Sequence, residues 1–439
     1  MSSPSQPIGA SRRLLLLLVA AVMLVAGAVA VRTARTDDGD DAARVTPAGS
    51  SSKAGGDAAD VGTESSERVT KTTAATITTT TTPSLPSDQT TMVRRQRITG
   101  DISPKSVVAS KHGLVFAQNM MYTHTVTSYA AGDGRLVATI PDSVDLAAYG
   151  IAGHPGTSQG APVEAAFTKD GRYGYVSNYS MYGAGFGPEG ADSCSPASGY
   201  DPSFLYRIDT RTNKVDQVIG VGVVPKYVAV TPDQKHVLVS NWCSFDLSVV
   251  DVAAEKEVAK IPIGRHPRGI VVSPDSKTAY VAVMGGTTVV KVDLATRTVS
   301  TLANPGNGPR HLDISPDGRT IYVTNNSSGT VARIDAATGA VTHTVSTGSQ
   351  PRSMAISSDG TALYVVNYES SSVTKLRAAD LSKLGEIGSD HHPIGITYEP
   401  TTRSVWVACY GGSIIVLDDN GTGQPAPAPS STAAATTGG

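Results

Sequence analysis

The stretches PKYVAVTPDQKHVLVSNW (225–242), PRGIVVSPDSKTAYVAV (267–283), PRHLDISPDGRTIYVTN (309–325), PRSMAISSDGTALYVVN (351–367) and PIGITYEPTTRSVWVAC (393–409) are versions of one unit. Their opening prolines recur every 42 residues without drift. A fixed period of that length marks a repeat architecture, and it overrides the domain count suggested by the length of 439 residues. In the unit opening at Pro309, short β-branched runs alternate with turns rich in Gly, Asp and Asn: HLDIS, then SPDG, TIYVTN, a second turn, TVARID, AATG and AVTHTVS. Such runs are strands joined by hairpins. They are too short, and too interrupted by Gly and Asp, for the i, i+3, i+4 pattern of a helical repeat. Four antiparallel strands per period describe one blade of a β-propeller.

Two earlier units open at Pro104 (PKSVVASKHGLVFAQN) and Pro162 (PVEAAFTKDGRYGYVSN), which gives seven blades. The last unit supplies only three strands and ends at SIIVLDD (413–419). The missing strand is at the other end of the chain, where VRRQRITGDISP (93–104) aligns with VTHTVSTGSQP (341–351). The fold expected is an all-β, seven-bladed propeller over 93–420, closed by the N-terminal strand so that no sheet edge stays open.

Residues 1–31 read as a signal sequence or membrane anchor. Arg12 and Arg13 precede Leu14–Val31, which carries no charge and as a helix would span roughly 27 Å. One reading cleaves this segment near Ala30, after the small residues AVA; SRRLLL is similar to a twin-arginine export signal. The other retains the segment as an anchor with its arginines inside. Both place the propeller outside the cytoplasm. The Thr-rich stretch 32–92 cannot bury a core and reads as a disordered stalk, and the tail 421–439 reads the same way. A net charge of −2 argues against a general nucleic-acid-binding surface.

The repeat breaks twice, at Asp142–Ala161 before blade two and at Tyr179–Pro202 inside it. Both insertions fall on the face that carries the links between blades, here called the upper face. Long loops on a rigid scaffold are where function concentrates. These loops hold Tyr149, His154, Tyr179, Tyr182, Phe186 and Tyr200, and Trp242 lies next to them in blade three. Aromatics on an exposed rim imply a ligand or partner site. Cys194 and Cys243 occupy matching hairpins of adjacent blades. In an exported protein a bond between them would be worth about 4 kcal/mol in the chain-entropy model, and it leaves Cys409 odd.

The residue after the opening proline is Lys105, Lys226, Arg268, Arg310 or Arg352 in five of the seven blades, and Val163 or Ile394 in the other two. Two such charges near a common channel mouth, about 8 Å apart, repel by roughly 2 kcal/mol at an effective dielectric of 20. They need anions, either carboxylates of the same links or an anionic ligand. His311, Glu164 and His154 complete the candidate ligand-binding set with Tyr182, Lys226, Trp242, Arg268, Arg310 and Arg352. No metal-ligand spacing, catalytic serine elbow or phosphate loop is present, and no cofactor is expected.

YVSN (175–178), LVSN (238–241), YVTN (322–325) and YVVN (364–367), each after a PDG-like turn, resemble the YVTN-repeat β-propellers. The wider set of these is similar to lactonase-type propellers and to subunits of periplasmic dehydrogenases. The resemblance covers about 93–419 and implies an exported or surface protein, but no particular reaction. Three roles are open: a binding module for a protein or an envelope or anionic ligand on the upper face, read from the insertions and the basic layer, and, implied by the resemblance, a lactonase-like hydrolase working in the channel or an accessory propeller beside a redox enzyme.

Overall fold

A computed structural model describes residues 85–187 and 193–419. The expected signal or anchor, most of the stalk and the tail lie outside these residues. Among the described residues no helix is long and apolar enough to cross a membrane. Seven four-stranded antiparallel sheets form the seven blades, and a small two-stranded sheet belongs to the first insertion. In blade five the order is Pro309–Ile314, Thr320–Asn325, Thr330–Asp335 and Val341–Ser346, running outward from the axis. Ser413–Asp418 pairs with Val93–Thr99, with Thr99 opposite Ser413, so the N-terminal strand is the outer strand of the last blade.

The Ser-Pro-Asp-Gly turns explain why the first and second strands meet in one register. Asp317 accepts from the Ser315 hydroxyl (2.6 Å) and from the Arg319 amide (3.1 Å), while Ser315 Oγ accepts from the Thr320 amide (2.9 Å). Gly318 closes the turn at φ 74°, a conformation that costs glycine little. The same hydroxyl–Asp pairing recurs at Thr168–Asp170, Thr231–Asp233, Ser273–Asp275 and Ser357–Asp359. Above these turns, alternate side chains of neighbouring sheets interleave. Leu238 and Leu247 of blade three meet Ile270, Val281 and Val290 of blade four in one buried cluster.

At the other end of each first strand the pairing slips just after the opening proline in all seven blades. A bulge of this kind leaves one residue unpaired and re-aims its side chain. In blades three to seven the residue before the proline is Val224, His266, Gly308, Gln350 or His392, each at positive φ. For Val224, at φ 56°, a β-branched side chain makes this conformation strained. The backbone is therefore bent at the one position that carries the repeated basic residue.

Residues before the boundary at Val93 read from the sequence also pack on the propeller. Residues 85–92 cross blades six and seven as a strap containing a short 3₁₀ turn, Ser87–Gln89. The Ser87 amide donates to Asp359 (2.7 Å), and the Thr90 hydroxyl donates to Asp419 (2.8 Å). Lys375 Nζ donates to the Thr90 carbonyl (2.9 Å) and pairs with Asp419, with both side chains almost wholly buried. Tyr364 donates to the other oxygen of Asp419. Removing Thr90 takes hydrogen bonds from both members of this buried ion pair, at a cost of about 1–3 kcal/mol. A chain beginning at Leu85 should therefore melt like the full-length protein. One beginning at Met92 keeps the closing strand but loses Thr90, and it should melt well below. Equal melting curves for the two truncations would show that the strap contributes nothing.

Candidate functional site

The bulge after each proline presents two successive residues of the first strand to the axis, so the channel is built in layers. The upper layer is the residue after the proline, Lys105, Lys226, Arg268, Arg310 and Arg352. Burial and then, in order, Arg268, Lys226, Arg310 and Arg352 hold the Lys105 ammonium well below the ordinary lysine pKa. Burial, Arg268 and Arg352 do the same to the Arg310 guanidinium. All five cations thus share one mouth. Arg310 donates to the Arg352 carbonyl, and Arg352 donates to Gln350 Oε1 (3.0 Å).

Aromatic rings back this layer. Lys226 Nζ lies 4.0 Å from the Tyr179 ring centre and 5.5 Å from that of Trp242. The Arg268 guanidinium lies 6.0 Å from Trp242, Arg352 3.5 Å from Tyr368 and Lys105 5.3 Å from Tyr410. Each ring belongs to the residue just after the motif asparagine position or its equivalent at the end of the second strand. Sequence reasoning missed this ring, although it recurs with the same period as the cations. Cation–π contacts are worth up to about 2 kcal/mol when desolvated, and they offset part of the cost of crowding the charges.

The second layer is two residues after the proline: Ser106, Glu164, Tyr227, His311 and Ser353, with Gly269 and Gly395 in the other two blades, where a side chain would run into the backbone of the neighbouring first strand. Asp313 and Thr397, two residues further, line the same cavity of about 150 Å³. Burial raises Glu164 to about 7, against a hydrogen bond from Ser106 and the charge of Arg268. Burial, with Arg310 and Arg268, lowers His311 to about 3, so its ring is neutral near pH 7. His311 Nδ1 lies 3.1 Å from the Ser353 hydroxyl, and its ring meets Tyr227 edge-on. Asp313 is raised by burial to about 8, and its Oδ2 is buried without a hydrogen-bond partner among the described residues. Among those residues no group of three or more His, Cys, Asp or Glu could hold a metal ion.

Of the residues singled out in the sequence, Glu164, Lys226, Arg268, Arg310, His311 and Arg352 converge on the channel. The other three lie elsewhere. His154 stacks on Phe186 (3.9 Å between ring centres) with Phe204 edge-on, and it does not line the channel cavity. The Tyr182 backbone joins the two insertions by reciprocal hydrogen bonds to Gln159 (2.7 and 2.8 Å), and its half-buried ring meets His124 edge-on (5.5 Å). Trp242 is not on an exposed rim. It is 8% exposed, stacked on His266 (4.2 Å) and packed with Tyr179, Cys194 and Cys243. Cys194 and Cys243 form a disulfide, Cys409 is a buried free thiol, and His266 Nε2 lies 3.1 Å from the Cys194 carbonyl. The aromatics of this region therefore fasten the second insertion beside the mouth and support Lys226 and Arg268 from behind.

Solved structures similar to this chain include Kuenenia stuttgartiensis hydrazine synthase, at 17% identity and a TM-score of 0.57. That match covers 74% of this chain and 98% of that one. A chain of the mitotic checkpoint complex is similar at 13% identity and a TM-score of 0.59, with 75% and 92% covered. Identities this low speak for the fold alone. No curated protein matches the sequence. The family described as lactonase, 7-bladed beta-propeller, matches residues 202–344 and 331–438. With seven blades in the structure and the match running over more than half of its length, the chain belongs to the lactonase-type seven-bladed β-propellers.

Proposed function

We propose that this propeller is an exported, membrane-tethered binding module whose ligand site is the upper mouth of the central channel, and that the ligand is a small anion. One observation carries the reading: the charge of Lys105 is opposed at once by Arg268, Lys226, Arg310 and Arg352. Clustered cations in a partly dehydrated funnel destabilise the empty fold and favour an anion that reaches several of them. The Cys194–Cys243 bond supports an oxidising location outside the cytoplasm. The apolar run after Arg12 and Arg13 supports a tether or export signal.

A second reading rests on Glu164. A carboxyl group with a pKa of about 7, beside Arg268 and Arg310, suits a general base that activates water while a guanidinium polarises a carbonyl. In that case the module is a lactonase-like hydrolase. Glu164→Gln would then abolish turnover of lactone probes and leave binding of a carboxylate ligand in place. No turnover of any lactone by the wild type would leave the binding role alone.

Citrate serves as a first anionic probe. It should raise the melting temperature of the wild-type protein at low ionic strength. The effect should shrink as salt screens the mouth, and it should disappear in the Arg268→Gln/Arg310→Gln double variant. A citrate shift that survives the double substitution would place the site elsewhere.

Lys105→Met should be neutral or stabilising without ligand, because it relieves the repulsion. Lysine with a depressed folded pKa opposes folding below its unfolded pKa, and this penalty fades as pH rises. The gain in melting temperature from Lys105→Met should therefore be largest near neutral pH and vanish above the ordinary lysine range. A clear loss of stability near neutral pH would mean that the cation cluster is not under strain.

A further inference from the structure

The charge along the channel axis changes sign below the mouth. Arg310 and Asp313 stand three residues apart on the strand Pro309–Ile314, which separates their backbone positions by roughly 10 Å. Arg268 and Arg310 act on Glu164 and His311, whereas the one charge opposing the rise of Asp313 is Lys111. Asp313 is thus beyond the reach of the cation layer. It lines a cavity of about 150 Å³ together with Glu164, Tyr227, Thr397 and Tyr398. That is room for several water-sized groups. The buried Oδ2 of Asp313 has no hydrogen-bond partner among the described residues. His311 is neutral near pH 7, and the exposed Lys111 is the cation among the residues lining the chamber.

Resting on the reading of the mouth as an anion site, we propose that the ligand is a zwitterion whose anionic group sits on Arg268 and Arg310 and whose ammonium group enters the chamber against Asp313. The ammonium supplies the hydrogen bonds that Oδ2 lacks, and Tyr227 lines the space it enters. A carboxyl group kept protonated by burial ionises when a cation arrives, so binding releases a proton. The titratable groups around Asp313 are Lys111 of blade one, Glu164 of blade two, Tyr227 of blade three, His311 of its own strand and Tyr322 of the strand paired with it.

Calorimetry on the full chain with ε-aminocaproate, caproate and adipate separates the two claims. The amino acid should bind roughly tenfold or more tighter than caproate, as a charge-assisted hydrogen bond requires. Its advantage should grow as pH rises toward about 8, where Asp313 ionises unaided. Proton release should be visible in buffers of different ionisation enthalpy. In Asp313→Asn the affinity ratio of the two acids should fall to about one. Caproate and ε-aminocaproate binding equally to wild type, adipate binding tightest, or a ratio unchanged in Asp313→Asn would each overturn the zwitterion and leave the anion site standing. If none of the three acids binds, the anion site and the zwitterion fall together.

Discussion

Seven first strands meet around one axis, and everything distinctive in this molecule follows from that constraint. A residue type at one position of the repeat is presented at one depth of the channel as often as the repeat carries it. Placed on an outer strand, basic residues would be dispersed around the rim, as the exposed pairs Lys260–Glu257 and Lys383–Glu386 are. Placed after the opening proline, where the pairing slips, five of them are forced together. The bulge is therefore the local cause of the charge cluster, and closure of the ring by Val93–Thr99 is its global cause. Without closure, the first and last blades would be free to separate and relieve the repulsion.

What was legible in the sequence was whatever the period could index. The period gave the blade number, the closing strand and the basic layer, because each is the same residue type at the same offset. It would also have given the aromatic backing, since Tyr179, Trp242, Tyr368 and Tyr410 share an offset. That pattern goes unread because Tyr179 and Trp242 are grouped with the nearby insertions. The insertions have no internal reference, so composition alone placed Trp242 and Tyr182 on an exposed rim. The structure buries Trp242 beneath the loop and leaves the Tyr182 ring half-buried against His124.

The strap at 85–92 escaped for a different reason. Ser87 and Thr90 look like the rest of a Thr-rich stalk, and nothing local marks them for burial. Their partners are Asp359, Lys375 and Asp419, some 270 to 330 residues away. A hydroxyl becomes a core group only when distant donors and acceptors arrive around it, which no window of local sequence records. The channel layers below the mouth were hidden in the same way. Ser106, Glu164, Tyr227, His311 and Ser353 share an offset but not a chemistry, so they look like noise in the repeat until the axis brings them together.

That contrast separates the two faces of the disk. On the lower face the repeated Ser or Thr, Asp and Gly residues satisfy one another inside each turn, and hydrogen bonding holds Asp170, Asp275 and Asp317 below the ordinary carboxylate range. These groups are content in the empty protein. In the channel the shifts run the other way: Lys105 and Arg310 are pushed toward neutrality, and Glu164 and Asp313 toward the protonated acid, all chiefly by burial. Strain in the backbone at Val224 falls beside the same layer. Opposing local preferences gathered at one place are the physical mark of a site shaped for something other than stability. A scaffold of regular, self-satisfied blades can tolerate that cost at its axis because every blade contributes stability elsewhere. The same division explains why the insertions lean on the upper face: they stiffen Lys226 and Arg268 from behind and leave the axis open to what enters it.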